Sequence, residues 1–383
     1  MPVGDAHLRI VILAGGIGSR FWPASTPSRP KPLLVLGATD EPLIARTVRR
    51  GLSLVPPERL SVLTGESLVG PILEAVPELG PGNFLIEPRA RGTAPALAWA
   101  AQRIHREDPE AVLVSLHADH VIRPEGAFTA LIARAAALAR AEDRLFTIAV
   151  SPTRAETGYG YIRPGSPIRT GNSTGTGGAL DAFEVGAFVE KPDRGVAERY
   201  ISEGCLWNSG IFLFPVARFL EEIRSHAPEI GAFLHHLERG NDEAFFDAVA
   251  TISVDEAVLE RSGRVGAVRA DFEWDDVGSW EALTRTRPAD DAGNHVMGEV
   301  HAVDSRGCVA WAEDGPIVLF GVDDLVVVRS GNVVLVSSRA RTSDLKWLLP
   351  QLPGRLRDPG NEPAVKPQTG KRGRRSPSEG SGG

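Results

Sequence analysis

The sequence predicts an α/β fold, a Rossmann-like mixed, mostly parallel sheet flanked by helices, followed by a small β-rich domain. Three observations carry this. Short apolar runs at 8–13, 60–64, 84–86, 112–116 and 146–150 alternate with longer stretches of helical spacing, as parallel strands covered on both faces require. From about residue 295 the pattern changes to short β-rich runs at 300–303, 308–311, 317–320, 325–329 and 333–336, separated by turn residues. After Leu352 the apolar residues nearly vanish and Pro, Gly, Ser and basic residues take over. The chain therefore divides into a main domain over 1–294, a β-rich domain over 295–352 and a disordered basic tail over 353–383.

Composition narrows the class. A chain of 383 residues can bury a substantial core, and a net charge of −7 argues against a general nucleic-acid binder. Cys205 and Cys308 are too few for a disulfide framework, which suits a reducing cytoplasm. The start MPVGDAHLRI lacks a basic region followed by an apolar core, and no apolar run approaches the ~20 residues that cross a bilayer. A cytoplasmic protein without membrane or nucleic-acid partners is expected.

The first strand runs into LAGGIGSRFWPASTPSRPKPLL, residues 13–34. A dinucleotide fingerprint needs a third glycine opening a helix, and a P-loop needs Gly-Lys-Ser/Thr; neither is present. Instead Gly15, Gly16 and Gly18 let a ligand approach the main chain, while Arg20 and Lys31 place positive charge on a proline-stiffened arm. The arrangement suits a polyphosphate.

Further along, EPRARGTAPA at 87–96 reads as a turn and a helix start with Thr93 as cap and Pro95 in the first turn. Asp119 closes the strand AVLVSLHAD. If that strand continued, His117 and Asp119 would share a face and His120 would point away, leaving too few ligands for zinc. Phe128, Leu131, Ile132, Ala135 and Leu138 recur at helical spacing as core packing. Runs at 159–162 and 183–189 read as two strands joined by a mobile Gly/Ser/Thr-rich connection over a cleft. A helix follows from Asp193, its cap, toward Glu203, with Gly204 as stop, and Trp207-Asn208-Ser209-Gly210 precedes a strand at 211–214. Asp276 sits in a second turn, FEWDDVGSW, with Asp275 as its competitor. Two aspartates on separate turns can converge on one Mg²⁺.

Together the glycine-rich segment, Phe188-Val189-Glu190-Lys191-Pro192, Thr157-Gly158-Tyr159-Gly160-Tyr161 and Asp276-Val277-Gly278-Ser279-Trp280 resemble the sugar nucleotidyltransferases. These enzymes join a nucleoside triphosphate to a sugar 1-phosphate and release pyrophosphate. The 87–96 segment has the form found in members that make GDP-mannose from GTP and mannose 1-phosphate, with Gly92 where Asn is usual. The resemblance implies nucleotide contacts at Leu13, Ala14, Gly15, Gly16, Gly18, Glu87, Thr93, Ala94 and Pro95, and catalytic roles for Arg20, Lys31, Asp119 and Asp276. It places Mg²⁺ on Asp119 and Asp276, and sugar-phosphate contacts on Gly160, Glu190, Lys191 and Asn208. It further implies a left-handed β-helical coil in the second domain and a homodimer. The alternatives are another sugar phosphate or nucleotide, or a non-catalytic GDP-mannose-binding regulatory subunit.

Overall fold

The computed structural model describes residues 5–16, 18–37, 39–169 and 180–357. Strand β1 (Leu8–Leu13) lies between β2 (Leu60–Thr64) and β4 (Val112–His117), with β3 (Phe84–Ile86) beyond β2, all parallel. Its sequence LRIVIL is apolar on both faces because both are covered. Ile10 and Ile12 join one core with α1 (Leu43–Leu52), whereas Val11 and Leu13 join a second with α3 (Thr93–Glu107). Helix α2 (Val69–Ala75) adds Ile72 to the first core, and α4 (Glu125–Glu142) adds the stripe Phe128, Leu131, Ile132, Ala135 and Leu138.

The sheet continues through β6 (Leu145–Val150), the hairpin β7 (Gly160–Pro167) and β8 (Ala182–Glu190), β9 (Leu206–Pro215) and β10 (Val265–Arg269). The order is β3-β2-β1-β4-β9-β6-β10-β8-β7. Antiparallel pairs are more numerous than the alternating pattern alone conveys, because β9 inserts between β4 and β6 and the hairpin joins at one edge. A short ladder, β5 (Val121–Arg123) against β11 (Glu273–Asp275), ties the turn after β4 to the turn before Asp276.

Two details differ from the sequence reading. Trp207 to Gly210 lies inside β9, where Gly210 takes φ 72° and the β6–β9 register shifts between Thr147 and Ala149, as at a bulge. The chain also stays ordered past Leu352: Gly354–Arg357 forms a helical turn whose Leu356 carbonyl accepts a hydrogen bond from the Trp22 indole at 2.9 Å. The rest of the expected tail, and most of the expected mobile connection in the hairpin, lie outside the described residues. Helix α5 (Arg194–Ser202) starts at Asp193, which accepts from Val196 N at 2.8 Å, and gives way to Gly204 at φ 78°.

The second domain is a short parallel coil. Successive strands alternate between two sheets. Strands β12 (His295–Met297), β14 (Val309–Ala312) and β16 (Leu325–Ser330) stack in parallel in one sheet, and β13 (Val300–Val303) stacks on β15 (Ile317–Phe320) in the other. An antiparallel β17 (Val333–Ser338) finishes the larger sheet. One face of that sheet, with Trp311, Val326, Val328 and Leu335, packs on Phe21, Trp22 and Trp280 of the main domain. Trp280 also donates to the Trp22 carbonyl at 3.2 Å. Among the described residues no helix is long and apolar enough to cross a membrane.

Candidate active site

The glycine turn leaves β1 with its first residues fastened. Ala14 N donates to Leu63 O at 2.9 Å, Ala118 N to Leu13 O at 3.1 Å, and Thr64 Oγ1 to Ala14 O at 2.8 Å. Gly15 and Gly16 are then exposed, with open space where a Cβ would stand. Gly18 has φ 70°, and a Cβ there would lie 2.4 Å from the Cβ of Lys31. The glycine therefore permits the arm to fold back on itself, which brings Lys31 into the site.

Lys31 is 6% exposed, an unusual fate for a lysine, and its ammonium is held by two acceptors. Its Nζ lies 2.7 Å from Asp119 Oδ2 and donates to the main-chain carbonyl of Asp276 at 2.5 Å. One ammonium thus joins the glycine-rich arm, the turn after β4 and the turn after β11. Burial, the largest single influence, would raise the Asp119 pKa, but the Lys31 charge, the neighbouring His120 and His117 and the Lys31 hydrogen bond together outweigh it, and the carboxyl is held down at about 2. For Asp276 burial prevails, and its pKa is raised despite Lys31 and a hydrogen bond from Tyr159. Arg20 Nη1 donates to Gly278 O at 3.1 Å, on the same turn.

Asp275, the competitor, is fully committed elsewhere. Arg285 grips its two oxygens at 2.6 and 3.1 Å, and Val277 N donates to it at 2.8 Å. Asp276 offers an open oxygen instead: Tyr159 donates to Oδ1, while Oδ2 faces Gly278, where a Cβ would come within 2.9 Å. An ionised Asp119 and an open Asp276 oxygen on adjoining turns are hard donors that fit a divalent cation whose shell is completed by water and phosphate.

The histidine geometry needs correction. Strand β4 ends at His117, so side-chain alternation stops there, and the His117 and His120 rings lie 4.7 Å apart instead of diverging. With Asp119 they bring three potential ligand atoms within 4.8 Å of one another. Both rings are kept neutral by burial, and His120 Nδ1 accepts from Trp274 Nε1 at 3.1 Å.

The 87–96 segment is built differently from the sequence reading. Thr93 is the first residue of α3, not its cap; Gly92, at φ 82°, holds the cap position. Thr93 Oγ1 accepts from Val254 N at 2.9 Å, and Ala94 N donates to Ile252 O at 3.3 Å. A Cβ on residue 92 would sit 2.5 Å from Ile252 O, which accounts for glycine there. Glu87 folds over this turn, its Oε1 accepting from Arg91 N at 3.3 Å, and burial raises its pKa. Pro95 is buried within the first turn of α3.

On the opposite side, Gly160 pairs with Glu190 across β7 and β8, and a Cβ at 160 would lie 2.6 Å from Glu190 Oε2. Lys191 follows at φ 47°, with an exposed ammonium paired to Glu190. Buried Asn208 is locked at both ends of its amide, accepting from Thr147 Oγ1 at 2.7 Å and donating to Asp255 Oδ1 at 2.8 Å. Asp255 escaped the sequence reading. Burial and the Glu190 charge raise its pKa to about 7. It starts a single π-helical turn, Asp255–Leu259, directly after the residues that grip Thr93 and Ala94, so one segment braces both sides of the site. A cavity of about 940 Å³ opens beside Arg20, Tyr159 and Asp276 and extends to Arg339 of the β-domain; neither the glycine turn nor Glu190 and Lys191 line it.

Lys31 and Tyr159 thus tie the glycine-rich arm, the two turn-borne aspartates and the hairpin to one another. Residues 9–292 match the Nucleotidyl transferase family, and the chain belongs to it. Residues 298–352 match the MannoseP isomerase/GMP-like beta-helix domain, in accord with the parallel coil. The chain is 36% identical over 367 residues to the mannose-1-phosphate guanylyltransferase of Escherichia coli (strain K12), covering 91% of this chain and 74% of that protein. It is 37% identical over 354 residues to the xanthan biosynthesis protein XanB of Xanthomonas campestris pv. campestris, covering 89% and 72%. A crystal structure described as mannose-1-phosphate geranyltransferase from Thermus thermophilus superposes with a TM-score of 0.80 at 33% identity, covering 90% of this chain and 99% of that one.

Proposed function

We propose that this chain transfers GMP from GTP to mannose 1-phosphate, giving GDP-mannose and pyrophosphate. The observation that supports this is the knot at Lys31, whose ammonium joins the glycine-rich arm to Asp119 and to the Asp276 turn, while Tyr159 links Asp276 to the strand end that carries Gly160 and pairs with Glu190. A phosphate oxygen of the sugar phosphate forms a bond to the α-phosphorus of GTP, and the bond to the β-phosphate oxygen breaks with its electrons leaving on pyrophosphate. The attacking oxygen is already an anion near neutral pH, so the protein removes no proton. What it must do is hold two anions together and in line.

Each group has a part in that. Main-chain atoms of Gly15, Gly16 and Gly18, set in place by the fastened Leu13 and Ala14, receive the nucleotide, and Arg20 and Lys31 lie beside the phosphates. Guanine presents donors at N1 and N2, for which the Thr93 hydroxyl and the main-chain carbonyls of the turn that leads into α3 are the acceptors, with Glu87 bounding the turn and Ala94 and Pro95 opening the helix beside it. Asp119 and Asp276 would hold Mg²⁺, whose contribution when bound is to neutralise phosphate charge. Lys191 holds the sugar phosphate as a point charge, Glu190 and the Gly160 main chain meet the sugar hydroxyls, and Asn208, held by Thr147 and Asp255, has its second amide hydrogen to donate to one of them. The free, buried Cys205 and Cys308 suit a cytoplasmic enzyme. The outward Val303, Val318 and Phe320 of the coil supply apolar area for a homodimer contact.

Assaying pyrophosphate release over a panel of triphosphates and sugar 1-phosphates tests the reading. Turnover with GTP and mannose 1-phosphate, and only poor turnover with UTP or glucose 1-phosphate, is expected. Binding of GDP-mannose without any Mg²⁺-dependent turnover would overturn it. Lys191→Ala is expected to raise KM for mannose 1-phosphate at least tenfold while KM for GTP changes little, because the exposed ammonium it removes pairs with Glu190 and the sugar phosphate, both on the sugar side. An equal rise in both constants would remove Lys191 from that role.

A further inference from the structure

We infer that Tyr159 is a positioning residue that couples occupancy of the sugar-phosphate side to metal binding at Asp276. The inference rests on the proposed placement of the metal and of the sugar phosphate.

Tyr159 touches both sides at once. Its phenol donates to Asp276 Oδ1 and accepts from Arg154 Nη2 at 3.0 Å, so its proton can point only at the carboxylate. Its main-chain carbonyl accepts from Lys191 N at 3.1 Å, and the next residue, Gly160, is paired with Glu190. Any adjustment of the Glu190–Lys191 corner on binding a phosphate therefore reaches the Tyr159 backbone through one hydrogen bond and Asp276 through the ring.

The ring is built to transmit that shift. It is 7% exposed and stands edge-on to Trp207 and Trp274, with centroids 5.1 and 5.2 Å away. Arg154, which fixes the phenol from the other side, stacks over Trp207 at 5.0 Å, next to Asn208. Trp274 belongs to β11, two residues before Asp276. With Oδ1 oriented by the phenol, Oδ2 remains as the oxygen presented to a cation, the kind of outer contact that sets ligand geometry and affinity.

The test is direct Mn²⁺ titration by electron paramagnetic resonance, with α,β-methylene-GTP present, in the absence and presence of mannose 1-phosphate. In the wild-type protein the sugar phosphate is expected to tighten Mn²⁺ binding severalfold. In Tyr159→Phe, which keeps the ring packing, Mn²⁺ binding should weaken by about tenfold and the response to sugar phosphate should disappear. Unchanged thermal unfolding of the variant separates this from a general loss of structure; should the variant be destabilised, Arg154→Met, which frees the phenol proton from its direction, should show the same lost response. If the wild type binds Mn²⁺ with coupling and both variants behave identically to it, the inference is wrong while the placement of the metal survives. If the wild type binds no Mn²⁺ with the analogue, the metal placement itself falls and the inference with it.

Discussion

Asp276→Asn is expected to lower kcat by two to three orders of magnitude at saturating Mg²⁺, equivalent to about 3 kcal/mol of lost transition-state stabilisation. Asparagine has nearly the same shape and its carbonyl oxygen still accepts from Tyr159, so the turn should persist. Only the charge is removed. The same substitution should leave the unfolding temperature unchanged or raise it near pH 7.5. Burial raises the Asp276 pKa in the folded protein, so its ionised form opposes folding, and the associated stability is lost as pH rises through the folded pKa. An inactive variant as stable as the wild type is the signature of a residue retained for function. Steady-state pyrophosphate release and differential scanning calorimetry check the two halves, and turnover within a few-fold of wild type would remove Asp276 from the site.

Lys31→Ala should lose turnover by a similar factor but behave oppositely in stability. The lysine is buried against Asp119 Oδ2 and the Asp276 carbonyl, so truncation leaves a half-buried carboxylate without its counter-charge and opens a gap beneath Gly18. Breaking one partner of such a pair costs several kcal/mol when burial is complete and less where solvent screens it, as at half-buried Asp119. A clear fall in unfolding temperature measured in metal chelator, together with a kcat reduced about a hundredfold, is expected. A variant with unaltered unfolding and unaltered kcat would show that the knot at Lys31 organises nothing.

The central strands were legible because they are short apolar runs buried on both faces: Leu8–Leu13 and Leu60–Thr64 fall where their residues indicate, and so does the edge strand Phe84–Ile86, which is only partly covered. The small domain was legible from its residues as short β-rich runs, but the coil itself came only from the family resemblance, since closure depends on residues pairing across a full circuit, as Val300 does with Ile317. Within the site, segments with distinctive glycines and prolines announced themselves. Tyr159 and Asp255 did not, because each acts through a partner distant in sequence, as Asp255 does through Asn208, and Arg285 did not because no local pattern marks its pairing with Asp275. Thr93 misled for a related reason. Its hydroxyl could cap its own helix, but a backbone amide from Val254 arrives first, and no local rule foretells that arrival.

The tryptophans beneath the arm have a wider consequence. Trp22, Trp280 and Trp311, with the Leu356 carbonyl, form a floor whose planks come from both domains. Arg20 and the Asp276 turn stand on it. A division near residue 294 is therefore a seam in the text of the protein and not in its packing: the coil is the foundation on which the glycine-rich arm is laid.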